Sequence, residues 1–593
     1  MANKESWGSR VGLILAMAGN AVGLGNFLRF PVQAIQNGGG AFIIPYLVCF
    51  LLMGLPLLYV EWAMGRFGGK SSNHSTPFIL DSMGKKRLWK YVGVFGIFTN
   101  IAVAAYYCYL ESWTLSYVYH SVIGTFQGMS QDAVGGFFGN YVDVVKNNAS
   151  FPFEAIIFWI LCLFLNTWIL SKGLSGGVEK TAKIGMPLLI VFGIFLAIQG
   201  VTLKAGQHNA IHPGTLGLNY LWTPEFSSIW NAKVWLAAAG QIFFTLSLGM
   251  GSIHCYASYI KANDDIALNS QSAGWMNEFV EVVLGSSILI PIAIGYLGID
   301  QVVEMTKTGG LGLGFKTLPY LFQQWGPTLA MVSGVMWFGL LFFAGITSSL
   351  AMGTPWMGFF EDEFGWSRQK GAWTFGLVVL ILGLPTVLFF NQGVFDEFDY
   401  WAGTVSLVVF AFIEILLFAW VFGIDKGWRE ITTGADIVVP TIYKFIIKYI
   451  TPLILGFVFF ASIPDIWNTI QHTSTKTEIA EASNPQMLKD DIYKIRNNEL
   501  AQLSDSVIYH GEDIMNNQTL DKKTKSSIFA VREKQKLYET YTAETFSLNT
   551  FIREKENIMW FKNISRPFLI IVFLLIAYTV HLASKKRRQT NPQ

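Results

Sequence analysis

Twelve apolar runs, each about long enough to cross a bilayer, recur along the chain, and that recurrence leaves little freedom in the fold. They lie near 11–35, 41–67, 90–122, 153–170, 181–200, 232–258, 273–297, 327–359, 371–391, 400–422, 441–463 and 563–583. A hydrocarbon core of about 30 Å takes about 20 apolar residues per helix. In lipid the backbone must satisfy its own hydrogen bonds, so only helices and closed barrels span. Strand-like alternation is absent, which predicts an all-α polytopic membrane protein with 12 transmembrane helices. Composition agrees: 52% of the residues are hydrophobic and 14% charged, against about 25% charged in soluble domains. Soluble enzyme classes are thereby largely excluded, and a net charge of +2 gives no basis for nucleic-acid binding. The four cysteines (Cys49, Cys108, Cys162, Cys255) lie in or beside apolar runs, so no loop disulfide framework is expected. Residues 1–10 are polar and carry no cleavage site, so the first hydrophobic helix is expected to direct insertion.

Lysine and arginine set the orientation. With the N-terminus inside, the inner segments carry 21 of them and the short outer loops five: Lys146, Lys204, Lys233, Lys307 and Lys316. Both termini are therefore expected in the cytoplasm. Residues 471–560 break the pattern with 12 Lys/Arg and 14 Asp/Glu. They predict a polar extracytoplasmic insertion before the last helix, with helical stretches at 487–504 and 525–541. A solvated lid or stalk is the simplest reading, and a partner-binding or gating role stays open.

Two runs carry glycines and small polar residues at mid-helix: Gly19-Asn20-Ala21-Val22-Gly23-Leu24-Gly25-Asn26 and Phe243-Phe244-Thr245-Leu246-Ser247-Leu248-Gly249-Met250-Gly251. Glycine costs about 1 kcal/mol inside a helix. For one run alone, close helix packing through small residues explains this. Two such runs, in helices one and six, are the pattern of discontinuous helices at matching places of two inverted five-helix repeats. A broken helix offers N–H groups and a positive dipole end to a carboxylate. Its freed carbonyls suit a hard cation such as Na⁺, and Asn20, Asn26, Thr245 and Asn277 add uncharged oxygens.

At these residues the chain resembles the neurotransmitter:sodium symporter family, and is most similar to its bacterial members of the leucine-transporter type. The match runs from Gly12 to Pro31 and includes Glu61-Trp62-Ala63-Met64-Gly65-Arg66, Tyr106 to Trp113, Gly240 to Gly251, Leu341 to Ser349, and Asp399-Tyr400-Trp401-Ala402-Gly403-Thr404. It spans about residues 5–463 and helix twelve, and omits 465–559. The resemblance implies a 5+5 inverted-repeat leucine-transporter fold with helices one and six broken. Its expected parts are 1–200 (helices one to five), 201–424 (six to ten), 425–464 (eleven), the insertion 465–560, and 561–593 (helix twelve and a cytoplasmic tail).

The resemblance also implies residue roles. Substrate backbone groups would meet Asn20, Ala21, Gly23, Leu24, Gly25, Tyr107, Phe244, Thr245 and Ser247. The substrate side chain would meet Val103, Phe244, Met250, Ser348 and Met352. One Na⁺ would take oxygens from Ala21, Asn26, Thr245, Asn277 and the substrate carboxylate. A second would take Gly19, Val22, Ala344, Thr347 and Ser348. Arg29 and Asp399 would form an outer gate, with Phe244 and Tyr107 as an aromatic lid; Lys4, Ser258, Tyr259 and Asp362 would form an inner gate. Gly177 and Pro187 match a glycine-x9-proline pattern in helix five, where local unwinding would open an inward path.

Gly23 stands where amine-carrying relatives have an aspartate, which favours amino acids. Met250 and Met352 stand where leucine-carrying relatives have phenylalanine and isoleucine, and flexible methionine suits a broader hydrophobic pocket. Glu281 lies one turn after Asn277 on the same face, where chloride-requiring relatives lack the acid. It implies chloride independence and a carboxyl able to return a proton outward; a permanently neutral, hydrogen-bonded glutamic acid is the alternative. Glu61 and Glu111 read as structural. The expected activity is Na⁺-coupled import of hydrophobic L-amino acids by alternating access in a cell (inner or plasma) membrane, not an enzymatic reaction. An amino-acid receptor of transporter fold is the alternative. Expected partners are a hydrophobic amino acid, Na⁺ and the bilayer; a homodimer stays open.

Overall fold

The computed structural model describes residues 5–590 apart from 85, 146–152, 225, 227–229, 308, 511–513 and 515–519. Lys4, Lys85 and Lys146 thus lie outside the described residues, which contain helices and no strand. The chain opens with a pair of helices bent by 46°, α1 (Arg10–Ala21) and α2 (Leu24–Gln36). Four spanning helices follow: α3 (Gly40–Gly69), α4 (Trp89–Ile123), α5 (Glu154–Ser171) and α6 (Leu174–Val201). Two short helices, α7 (Ala232–Thr245) and α8 (Ser252–Ser258), come next. Then come α9 (Ile266–Thr306), α10 (Pro327–Phe364), α11 (Arg368–Leu388), α12 (Val394–Thr432) and α13 (Ile442–Gln471). The insertion supplies α14 (Gln486–Glu499) and α15 (Lys522–Thr542), and α16 (Leu548–Thr590) closes the chain.

Among the described residues, ten single helices are long and apolar enough to cross a bilayer, and the bent pair makes eleven. The run at 232–258 is not among them because it is broken, as expected for helix six. That run divides into helices of 14 and 7 residues. Its divider contains Ser247, Gly249 and Gly251, all at positive φ, a backbone that no right-handed helix continues through.

The bundle has a largely hydrophobic core holding local polar networks, and an apolar outer face, as lipid demands. Phe164, Trp168, Ile198, Leu377, Phe457 and Leu574 face outward on α5, α6, α11, α13 and α16. At the centre α4 packs along α10 and against α5. There Asn166 donates to both carboxylate oxygens of Glu111 (3.0 and 3.2 Å) and accepts from Ser349 (2.6 Å). That network ties three helices together, the structural role expected for Glu111, because a buried polar group is tolerated only when bonded.

The insertion has its own small core of Ile492, Leu500, Ile508, Ile514, Ile528 and Val531. It meets the bundle at the C-terminal end of α9. Ile514 N–H donates to Asp300 (2.5 Å), and Lys307 pairs with Glu533 (2.9 Å) and Glu304 (3.0 Å). Burial pulls the Lys307 ammonium down, but the two carboxylates outweigh it and hold it above its usual range. Two arginines pin α16. Arg566 clamps Glu397 of α12 with two hydrogen bonds (2.7 and 3.0 Å), and Arg587 binds Glu363 of α10.

Candidate functional site

Two interruptions of helix build the site. The first is the two-residue link Val22-Gly23 between α1 and α2. Gly23 N–H donates to the Asn26 side-chain oxygen (2.8 Å), and Leu24 N–H donates to the Tyr107 hydroxyl (3.1 Å). Two of the donors that open α2 are thereby held by side chains. A methyl group at position 23 would lie 2.8 Å from that hydroxyl, so the residue must be small.

The second interruption runs from Leu246 to Gly251. Its backbone is satisfied from two sides, as buried backbone requires, and one of its side chains reaches back to α1. Gly249 N–H donates to Glu61 (2.7 Å), Met250 C=O accepts from Asn100 (2.6 Å), and Ser247 Oγ donates to Asn20 C=O (3.0 Å). Ser252 Oγ, at the start of α8, donates to the Asn20 side chain (3.2 Å). Asn20 therefore joins the two interruptions.

Between them lies a narrow pocket of about 30 Å³. Of the substrate residues expected from sequence, Asn20, Ala21, Gly23, Gly25, Val103, Tyr107, Phe244, Thr245, Ser247, Met250, Ser348 and Met352 line it. Leu24 lines instead the wider vestibule above, of about 640 Å³. Gly25, Tyr106, Tyr107 and Phe244 border both spaces and so form the partition between them.

Two clusters of oxygens flank the pocket. In the first, Asn26 Nδ2 donates to Thr245 Oγ1 (3.0 Å), Asn277 Oδ1 (2.8 Å) and Glu281 Oε2 (3.2 Å). Glu281 also accepts from Gln241 (2.5 Å), from Asn277 (3.3 Å) and from Thr245. Ala21, the remaining expected member, lines the neighbouring pocket. In the second, Ser348 Oγ donates to the carbonyls of Gly19 (3.0 Å) and Ala344 (3.2 Å), and Thr347 Oγ1 to Ala344 (3.3 Å). A Cβ on Gly19 would fall 2.8 Å from Thr347, so glycine sets this close approach. Val22 caps α1 with its own N–H on Ala18 C=O. Uncharged carbonyls and hydroxyls at this density suit a hard monovalent cation.

The gates depart from expectation. Arg29 and Asp399 both line the vestibule, but no ion pair joins them among the described residues. The Arg29 guanidinium instead lies 4.3 Å from the Phe244 ring centroid, and Asp399 accepts from Tyr106 (2.6 Å). A cation over an aromatic face and a charge-assisted hydrogen bond satisfy the two groups separately. Below the pocket, Ser258, Tyr259 and Asp362 converge on His74. Its Nδ1 lies 2.9 Å from Ser258 Oγ, its ring stacks on Tyr259 at 4.1 Å, and its N–H donates to Asp362 (2.7 Å). Lys4 lies outside the described residues. Arg368 is the observed cation here, 3.3 Å from Glu361 and 3.8 Å from Glu5.

α6 runs from Leu174 to Val201, with Gly177 in a wide π-helical first turn and Pro187 inside the α-helical remainder. Its Glu179 accepts from Gly8 N–H (2.7 Å) and Ser9 Oγ (2.8 Å), which docks the start of α1 against α6. Sequence reasoning missed Tyr106, Gly403 and Leu407 in the pocket wall, His74 and Arg368 below it, and Gln241 at Glu281. Gln241 lies one turn before Thr245 on α7, and that spacing was the available signal.

Comparison with known proteins agrees with this geometry. A family model described as the sodium:neurotransmitter symporter family matches residues 4–127 and 125–478. An uncharacterized sodium-dependent transporter of Methanocaldococcus jannaschii is 31% identical over 475 residues, covering 78% of this chain and 91% of the relative. Sodium-dependent nutrient amino acid transporter 1 of Drosophila simulans is 24% identical over 528 residues, covering 78% of each. The crystal structure of MhsT in complex with L-phenylalanine aligns with a TM-score of 0.67 at 28% identity, covering 78% of this chain and all (100%) of that one. The family match ends at 478, before α14 and α15.

Proposed function

Because the chain belongs to the sodium:neurotransmitter symporter family, and is thus a sodium-dependent membrane transporter of leucine-transporter fold rather than an enzyme, we propose that its cargo is a hydrophobic L-amino acid. The observation that carries this reading is the meeting of a helix-break polar floor with an apolar wall. On one side stand Gly23 and the opened N-terminus of α2; on the other stand Val103, Phe244, Met250 and Met352. The cargo carboxylate sits against the N-terminus of α2, where dipole and free N–H groups favour an anion. Gly23 supplies no counter-charge for an amine that lacks its own acid. Two methionines adapt to aliphatic and aromatic side chains alike, and MhsT, bound to L-phenylalanine, sets a precedent for an aromatic one.

In this reading two Na⁺ ions travel with the amino acid. The first is held by Ala21, Asn26, Thr245, Asn277 and the cargo carboxylate, the second by Gly19, Val22, Ala344, Thr347 and Ser348. Moving one charge through 100 mV yields about 2.3 kcal/mol. Two ions with a neutral zwitterion, plus tenfold ion gradients, yield about 7 kcal/mol. Glu281 is ionised beside the first ion when Na⁺ is bound, which makes chloride unnecessary, and takes up a proton on the outward return. Arg29 and Asp399 close over the vestibule when cargo and ions favour the occluded state, because a ligand shifts such an equilibrium only by its differential affinity. Both termini face the cytoplasm of a cell membrane.

The test is uptake of radiolabelled leucine and phenylalanine into proteoliposomes, with and without inward Na⁺ and with chloride replaced by gluconate. Accumulation that needs Na⁺, survives without chloride and falls in Arg29→Ala supports the reading. Saturable Na⁺-dependent binding with no accumulation replaces it with an amino-acid receptor. Wild-type trapping in Arg29→Ala removes the gate assignment.

A further inference from the structure

Away from the pocket, three ionisable side chains meet with no solvent exposure: Glu61 on α3, His254 on α8 and Glu414 on α12, each 0% exposed. The imidazole lies between the two carboxylates. Its Nδ1 is 3.6 Å from Glu61 Oε2, and its Nε2 is 3.3 Å from Glu414 Oε1. Both ring nitrogens, Glu61 Oε2 and both Glu414 oxygens lack a hydrogen-bond partner. Buried polar atoms are almost always bonded, and five unpaired ones around one ring call for a positive species between them.

A metal ion fits poorly. The ring turns a different nitrogen to each carboxylate, so one ion bonded to one nitrogen is remote from half of the cluster. One donor atom from each residue can be found within 4.8 Å of the others. Tetrahedral zinc, with ligands at about 2.0–2.1 Å, needs donor atoms roughly 3.4 Å apart. Protons fit well. A proton on each nitrogen makes an imidazolium that donates to both carboxylates at once, and closing the 3.3 and 3.6 Å separations by about 0.5 Å completes both bonds.

The cluster is also wired to the second helix interruption. Glu61 uses its other oxygen to hold Gly249 N–H (2.7 Å), inside the interruption, and His254 stands on α8, three residues past Gly251. We infer that Glu61, His254 and Glu414 form a proton-binding site whose occupancy is set by the position of α8. With α8 docked on α3 and α12, the site is sealed and holds its protons. Displacing α8 separates the imidazole from the two acids and admits water, and the protons leave. The two conformations therefore differ in proton affinity, and by linkage the proton load biases α8.

No other charge competes for this site. On α3, Arg66 is paired with Glu430 (2.9 Å), and Tyr59 meets Gln271. On α8, Cys255 and Tyr256 flank His254; on α12 the remaining charges lie towards its two ends, Asp396, Glu397 and Asp399 at one and Asp425, Lys426, Arg429 and Glu430 at the other. Towards the inner ends of the helices packed alongside, Lys90 of α4 bonds Ser584, Arg10 of α1 pairs with Asp265 and Asp436, and Glu363 of α10 is held by Arg587. None of these groups bonds to the cluster among the described residues.

The inference rests on alternating access but not on the nature of the cargo, and the experiment separates the two. Purified protein in weakly buffered detergent solution, with a pH-indicator dye, is mixed with Na⁺ and then with leucine. Wild type is expected to exchange about one proton more than Glu414→Gln or His254→Gln. Their pH profiles of Na⁺-dependent leucine binding should differ accordingly. Infrared difference spectra of the wild type should show an imidazolium band that His254→Gln removes, a readout that needs only one well-folded variant. Equal proton counts in all three proteins, with leucine still bound, overturn the inference; stoichiometric zinc in the purified wild type overturns it in favour of a metal. Absence of Na⁺-dependent leucine binding overturns the cargo assignment, while the infrared band still reads the site.

Discussion

The two helix interruptions do different work with different chemistry. The first is two residues long, stays in ordinary backbone regions, and is held by pocket side chains, Tyr107 and Asn26. The second spans Leu246 to Gly251, carries three residues at positive φ, and is held from outside the pocket by Glu61 and Asn100. A break whose partners are ligand-facing groups is tuned by what binds. A break whose partners lie in the bundle is tuned by the bundle. In the proposed function the first presents cargo, and the second transmits the position of a half-helix.

That contrast is sharpest in glycine substitutions. Gly249→Ala puts a Cβ 2.2 Å from Leu407 C=O at a φ of +69°. It should cost at least about 2–3 kcal/mol, read as a lost or strongly lowered melting transition in detergent. Gly23→Ala, at a φ of −116°, should keep the melting temperature and abolish leucine binding, because its methyl crowds Tyr107 and Ser348. If both variants fail in the same way, the contrast is wrong. Asn100→Ala strips Met250 C=O of its donor and should cost about 1–2 kcal/mol of stability, with Na⁺ affinity unchanged. Tyr107→Phe leaves Leu24 N–H unpaired and should weaken leucine binding about tenfold without moving the melting temperature.

A control lies outside both breaks. Lys534 hydrogen-bonds Asp491 (2.9 Å) and holds its carboxyl below the usual range. A lowered carboxyl pKa adds stability above the unfolded value of about 3.9, which is lost as pH falls through the folded value. For so exposed a pair the loss should stay under about 1 kcal/mol, seen as faster hydrogen exchange in α14 and α15 alone.

Both breaks were legible in the sequence because glycine and small polar residues are costly at mid-helix and leave a local mark. So were α14 and α15, through their charge and three-to-four spacing. The partners were less so. Tyr106 and Leu407 reach the pocket from helices whose apolar faces are continuous, so nothing in the sequence separates pocket wall from packing. His254 looks like one polar residue in an apolar stretch, and only the fold brings Glu61 and Glu414 to it across 193 and 160 residues. The pair reads as an outer gate, and the structure gives Arg29 and Asp399 separate partners, a choice of conformation that spacing does not encode.

The two arginines of α16 have a consequence for the membrane itself. Arg566 and Arg587 are 21 residues apart, which at 1.5 Å per residue is about 32 Å. Each is fastened to an acid on another helix, so neither can slide along the bilayer normal alone. The apolar stretch between them is a gauge of fixed length, matched to a hydrocarbon layer of about 30 Å. A thinner or thicker bilayer has to tilt this rod or strain its two fastenings, at a fraction of a kcal/mol per Å. Lipid chain length thereby acts on α12 at one face and α10 at the other.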